Sequence, residues 1–154
     1  MLRHIFALSL ATTAAAAQTV PDYIDDRSSA RQVVASLYNA VNRHEYLRAW
    51  SYFRPETAPE SKAFRDGYAD TQAVEVKMGE VLTEGAAGSI HSMVPVALHA
   101  KATDGAVTVF TGCYYLTQVQ PGNQEVPPFR PIQIDRGELA KSDQAFEEAM
   151  GVCE

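Results

Sequence analysis

Catalysis or ligation needs a base, a nucleophile, a charged clamp or a set of metal ligands, and few residues of this chain offer one. His91 and His99 lie on one face of an unbroken strand, opposite Ile90, Val94 and Leu98. At roughly 3.3 Å per residue they stand more than 25 Å apart, too far to share a metal, and a bulge at Pro95 would separate their faces. No H-x-H or H-x-x-x-H spacing and no Cys/His cluster exists, so a metal site has no support in the sequence. Each histidine reads as a solvated or cross-strand residue, and His44 as part of a turn between helices. Asp70, just after Tyr68, and Asp66, at the end of a helix, are candidate carboxylates. Inside an apolar pocket either would have a shifted pKa and serve as acid or base; otherwise each is a turn residue. There is no G-x-S-x-G elbow. Gly85-Ala86-Ala87-Gly88 lacks the Gly-Lys-Ser/Thr end of a phosphate loop.

Binding residues are more numerous. Tyr38, Trp50, Tyr52, Phe53, Phe64 and Tyr68 crowd the N-terminal half. Most of them read as core. The other reading has Tyr38, Trp50, Phe53 and Tyr68 lining a pocket that stacks on a flat apolar ligand, since Tyr and Trp each present an apolar body and one polar tip. Arg130, between Phe129 and Pro131, is a candidate anion clamp at a pocket rim or one half of a surface ion pair. The run Pro127-Pro128-Phe129-Arg130-Pro131 fits a polyproline ligand, but it precedes a strand and reads better as a stiffened loop.

The remaining chemistry depends on compartment. Arg3 and His4 form a short positive region, Ile5 to Ala11 is mostly apolar, and Ala15-Ala16-Ala17 offers the small side chains a signal peptidase accepts. Residues 1–17 read as a signal peptide cleaved after Ala17, giving a periplasmic or secreted protein. The apolar run falls short of the roughly 20 residues of a membrane anchor, and no Cys near the cut suggests a lipid anchor. In an oxidising compartment the two cysteines, Cys113 and Cys153, favour a disulfide. It would pin the C-terminal tail to the sheet and stabilise by about 4 kcal/mol in the chain-entropy model. The alternative, two thiols with one catalytic, lacks a C-x-x-C motif or an adjacent His.

These residues must be held by elements. The 154 residues suit one domain, and 46% apolar with 21% charged residues is ordinary for a packed one. A net charge of −6 and the absence of any basic block exclude the electrostatic footprint of a nucleic-acid binder. No cofactor motif is present. After an extended lead-in over 18–26, Ser29 and Gln32 stand at capping-box spacing. Val33, Val34, Leu37, Tyr38 and Val41 then make a helical stripe. A second helix runs from Tyr46 to about Phe53 with Leu47, Trp50 and Phe53 on one side, ending before Pro55. A third runs from Ser61 to Asp66, stopped by Gly67. Strands follow over 73–78, 89–101 and 107–119, with Gly85–Gly88 as a turn and Asp104-Gly105 as a hairpin. Pro95 in the long strand implies an edge or a bulge. A last strand spans 132–139, bent at 135–137, and a short helix over 143–150 turns Phe146 and Met150 to one side.

Helices followed by an antiparallel meander define an α+β domain over 27–154. The segment Ala30 to Val41, then His44 to Phe53, resembles the opening of NTF2-like (cystatin-like, SnoaL-like) domains, in which a helix with an apolar stripe and a Tyr precedes a short aromatic helix. Phe64 to Thr71, Val94-Pro95-Val96, Gly112-Cys113-Tyr114 and Pro127 to Pro131 also resemble a set of uncharacterised exported bacterial members. The resemblance implies a cone, with helices packed in a curved antiparallel sheet and often a pocket at the open end. It implies two main functions. One is non-catalytic binding of a small apolar or amphipathic ligand, or of a protein partner. The other is a lyase or isomerase using Asp70 or a pocket histidine such as His91 as base, with Tyr38 or Tyr114 as hydrogen-bond donor. Homodimers through the sheet also follow from the resemblance, and an envelope scaffold with an exposed apolar sheet face is a third reading. Fold alone does not choose among them.

Overall fold

The structure, a computed structural model, describes residues 20–154. The signal peptide over 1–17 and its cleavage site lie outside the described residues. The chain folds as α+β, with three short helices on one face of a curved, five-stranded antiparallel sheet. Helix α1 spans Ala30–Asn42, α2 Tyr46–Trp50 and α3 Ser61–Gly67. Strands are β1 Thr71–Met78, β2 Leu82–Ala86, β3 Ser89–Ala102, β4 Val107–Val119 and β5 Gln133–Ser142.

Local chemistry starts α1 where expected: Ser29 is its N-cap, its hydroxyl accepting from Gln32 N at 3.2 Å. The stripe Val33, Val34, Leu37, Tyr38, Val41 is buried against Val94, Val96 and Leu98 of β3, Tyr114 and Leu116 of β4, and Ile134 of β5. The lead-in is fastened to this layer by polar hooks. Ile24 N donates to Asn39 Oδ1 at 3.0 Å, Asn39 Nδ2 to Asp22 O at 2.7 Å, and Asp26 N to Ser36 Oγ at 2.8 Å. Arg43 and Arg48 lie over the Tyr23 ring.

The second helix is shorter than the spacing predicts. It ends at Trp50, and the chain turns so that Ala49, Tyr52 and Phe53 are buried while Leu47 is 77% exposed. The apolar spacing of Leu47, Trp50 and Phe53 continues past the end of the helix, so it does not mark one helical face. In the sheet the strands are ordered β1-β3-β4-β5, with β2 continuing the β1 side of β3. Strand β2 occupies ground assigned to a turn; the turn itself is only Ala87-Gly88, both at positive φ.

Pro95 sits in a central strand without breaking a ladder. Its carbonyl accepts from Gly79 N at 2.9 Å. A residue's N–H and C=O point to the same side of an extended strand, so the missing donor faces the gap between β1, which ends at Met78 opposite Val96, and β2, which begins at Leu82 opposite Met93. The predicted bend near Asp135 is a β-bulge: Tyr115 pairs with Arg136 and Leu116 with Ile134, leaving Asp135 over.

The other face of the sheet is covered by the tail. Cys113 of β4 is joined to Cys153 by a disulfide, and no described cysteine is free. Residues 143–150 form turns rather than a helix, with one Ala149 N to Ala145 O bond of 2.9 Å. The tail is instead drawn onto β3 and β4. Ala149 and Ala97 are both buried, Gly151 N donates to Val96 O at 3.1 Å, and Lys77 Nζ donates to Phe146 O at 2.7 Å. Gly151 is obligatory here, since a Cβ on it would meet Gly112 O at 1.8 Å.

Candidate functional site

The concave side of the sheet is filled by aromatic side chains. Tyr38 from α1 and Tyr114 from β4 meet hydroxyl to hydroxyl at 2.7 Å, their rings edge to face at 6.2 Å. Tyr68 closes the cluster from below α3, edge to face with Phe64 at 5.2 Å, and Phe64 packs on Phe53 at 5.6 Å. Burial pushes the Tyr68 phenol up to about 12. Burial, together with the neighbouring phenols, drives Tyr38 well above its ordinary range, and burial does the same to Tyr114. These hydroxyls remain neutral hydrogen-bonding groups. The buried polar residues of the described chain are Ser36, Asn39 and Thr117; none is a carboxylate or an imidazole.

Of the residues picked out in the sequence, Tyr38, Phe53, Tyr68 and Tyr114 come together and Trp50 and Arg130 do not. Trp50 faces a cleft between α2 and α3, its indole N–H donating to Pro59 O at 2.8 Å. Arg130 is exposed, pairs with Glu56 at 2.9 Å and also stands at the edge of a hollow of about 450 Å³ with Gln124, Val126 and Pro128, so both of its readings keep support. Asp70 is exposed in the turn before β1, where its carbonyl accepts from Thr103 N at 2.9 Å. Asp66 pairs with Lys62 and Arg65 on the surface. His44 sits in the α1–α2 turn at positive φ, its Nδ1 2.8 Å from Tyr46 Oη. His99 packs against the Phe146 ring at 5.5 Å. No group of three His, Cys, Asp or Glu among the described residues is arranged to hold a metal ion.

Around the filled interior the surface carries shallow hollows. One of about 290 Å³ opens at the edge of the aromatic cluster, between Phe53, Thr57 and Pro59 on one side and Tyr114, Arg136 and Leu139 on the other. Gly137 admits it, because Tyr114 Cε1 lies 2.5 Å from where a Cβ would stand. A second, of about 510 Å³, lies across the sheet between β5 and the tail, lined by Tyr115, Leu139 and Val152. The α2–α3 cleft holds about 250 Å³.

One polar row escaped sequence reasoning. His91 Nδ1 lies 3.0 Å from Thr117 Oγ1, which donates to Asp135 Oδ2 at 2.6 Å, and Asp135 Oδ1 is 2.9 Å from Arg54 Nε. Because the hydroxyl proton goes to the carboxylate, Nδ1 must donate to Thr117. His91 is exposed and Thr117 is buried. Pairing β3 with β4 puts positions 91 and 117 side by side, but only the bulge brings Asp135 within reach.

No family model matches the chain, and no curated protein or solved structure matches it. Among the described residues no helix is long and apolar enough to cross a membrane.

Proposed function

We propose that the chain is an exported NTF2-like domain that binds without catalysis, taking a small amphipathic ligand at the hollow between Phe53, Pro59, Arg136 and Leu139. One observation carries this reading. The cone interior, where an isomerase or lyase of this shape would hold its substrate, is packed with Tyr38, Tyr68, Tyr114, Phe53 and Phe64, and its hydroxyls have one another as partners. Proton abstraction needs a base held next to the substrate, and Asp70 and His91 both stand on the surface, away from that cluster. The mouth, by contrast, offers the apolar walls of Phe53, Pro59 and Leu139 with the Thr57 hydroxyl among them, the mixture a small-molecule site uses. The Arg136 guanidinium turns away over the Tyr115 ring and pairs with Glu138. Export is supported by the leader pattern together with the Cys113–Cys153 bridge, which persists in oxidising compartments. The scaffold reading, and a dimer formed face to face through the sheet, are less favoured. The outer face is occupied by the chain's own tail, and the rest of it presents Glu75, His91, Lys101 and Glu138.

The test is a fluorescence titration with anilinonaphthalene sulfonate. Saturable binding lost in Leu139→Glu and weakened in Thr57→Glu, a residue that lines this hollow and not the one beside the tail, with unchanged circular dichroism, is the expected result. Binding abolished instead by Tyr38→Phe and untouched by Leu139→Glu would place the ligand in the interior and restore the enzymatic reading.

A further inference from the structure

Helix α2 is five residues long and exposes the side chain that its spacing should have buried. Leu47 is 77% exposed. A lone exposed leucine needs no explanation, but this one shares a cleft with Tyr46 and Trp50, facing Ser61, Lys62 and Arg65 of α3. The polar tips of both aromatic residues are already engaged: the indole N–H by Pro59 O, and the Tyr46 hydroxyl by His44 Nδ1. What they offer the cleft is therefore apolar ring surface.

The opposite wall is cationic, in a chain whose net charge is −6. The nearby carboxylates are committed elsewhere. Glu60 caps α3 by accepting from Ala63 N at 2.8 Å, and Glu45 is held by Arg43 and Arg48. Asp66 pairs closely with Lys62 and lies 3.6 Å from Arg65 Nε, too far for a hydrogen bond. Two cations thus share one carboxylate, and the Arg65 fork keeps donors free for a second one, the planar partner it binds best. At about 250 Å³ the cleft falls below the ~300 Å³ at which drug-sized pockets begin, so its occupant is one or two fused rings in size.

We propose that the α2–α3 cleft binds a small planar aromatic carboxylate, its ring against Trp50, Tyr46 and Leu47 and its carboxylate on Arg65. The site shares no lining residue with the mouth at Leu139, to which it is linked only through the Trp50 bond to Pro59 O, and it does not depend on a ligand binding there.

Trp50 is the only tryptophan of the chain, so its emission reports this cleft directly. Naphthoate titrated into the oxidised protein should change that emission saturably. Naphthalene methanol, which has the ring without the charge, should bind about tenfold more weakly or worse, the difference one charge-assisted hydrogen bond makes. Arg65→Glu should weaken naphthoate by at least the same factor, and Arg65→Gln, which only removes the charge, serves if the reversal disturbs folding. Leu139→Glu, at the mouth, should leave the Trp50 titration unchanged. A linear, non-saturating response, equal binding of the neutral analogue, or an unaltered titration in both Arg65 variants would each overturn the proposal.

Discussion

The two faces of the sheet are covered in opposite ways. On the concave face α1 lays a stripe of Val33, Val34, Leu37, Tyr38 and Val41 over β3, β4 and β5, and nearly every contact is apolar or aromatic. On the outer face none of the described residues forms a helix. An irregular tail is held by a disulfide, one main-chain bond from Gly151 to Val96, the Lys77 contacts and the burial of Ala149. The first cover is specified by periodicity and stabilised by area removed from water. The second is a covalent constraint on a segment with few contacts of its own, and such segments open first. The hollows follow the same division: the inner face is filled by side chains, and the hollows lie along its rim and beside the tail.

Cutting the bridge is the strongest way to break the comparison. Cys113→Ser with Cys153→Ser frees a loop closed across a sequence separation of 40 and should cost about 4 kcal/mol, mainly through the unfolded chain. Hydrogen exchange in this variant should rise over 143–154 while the amides of α1 stay protected. Equal loss of protection on both faces would show that the tail and the inner core form one cooperative unit. Leu116→Ala attacks the other side. Leu116 is fully buried on the concave face, so its truncation should cost about 3 kcal/mol, measured by urea denaturation, and should lower protection across both faces.

How far each face was legible in the sequence follows from the same contrast. The α1 stripe has a period that only a helix explains, and Ser29 caps it at the predicted place through the Gln32 N to Ser29 Oγ half of the capping box. The Asp104-Gly105 hairpin fixed the β3–β4 register, with Gly105 at positive φ as the turn requires. Strand β2 was missed because all five of its residues are exposed and show no alternation. The tail was misread because Ala145 to Met150 favours a helix locally, while the sheet and the disulfide hold it in turns. For the site, Tyr38 and Tyr114 were each named, but their contact depends on where α1 crosses β4. The partnership of Thr117 with Asp135 depends on a bulge that no local pattern announces. Trp50 and Arg130 each stand beside aromatic residues in the sequence, but the fold leaves Trp50 half-buried in the α2–α3 cleft and Arg130 exposed.

The tyrosine pair sharpens the comparison at smaller scale. Tyr38→Phe leaves the Tyr114 hydroxyl buried without its partner and should cost about 1–2 kcal/mol. The double variant with Tyr114→Phe should cost less than the two single changes summed, because both polar groups leave together. The same burial gives an alkaline signature. Tyr68 is raised to about 12 against roughly 10 in an unfolded chain. A raised folded-state value stabilises fully below the unfolded one and is lost as pH climbs through the folded one. The melting temperature should therefore fall from about pH 10 upward, and less steeply in Tyr68→Phe.

The smallest effect concerns the lead-in, a third cover fastened chiefly by hydrogen bonds and by the arginines over Tyr23. Asp25 is pushed up by partial burial, but hydrogen bonds from Tyr52 and Arg27 and the charges of Arg27 and Arg48 outweigh this and hold its carboxyl below the ordinary range. A depressed folded-state value contributes stability above the unfolded value of about 3.9 and loses it as pH falls through the folded one. The pair is partly solvent-exposed, so Asp25→Asn should cost only some tenths of a kcal/mol near neutral pH. Its consequence is local. As pH drops below about 4, amides such as Ile24 and Asp26, which bond to Asn39 and Ser36, should lose exchange protection before α1 does. In Asp25→Asn that protection should already be reduced and should no longer depend on pH. Loss of protection in α1 at the same pH as in the lead-in would mean that this polar strap is part of the helical layer rather than fastened onto it.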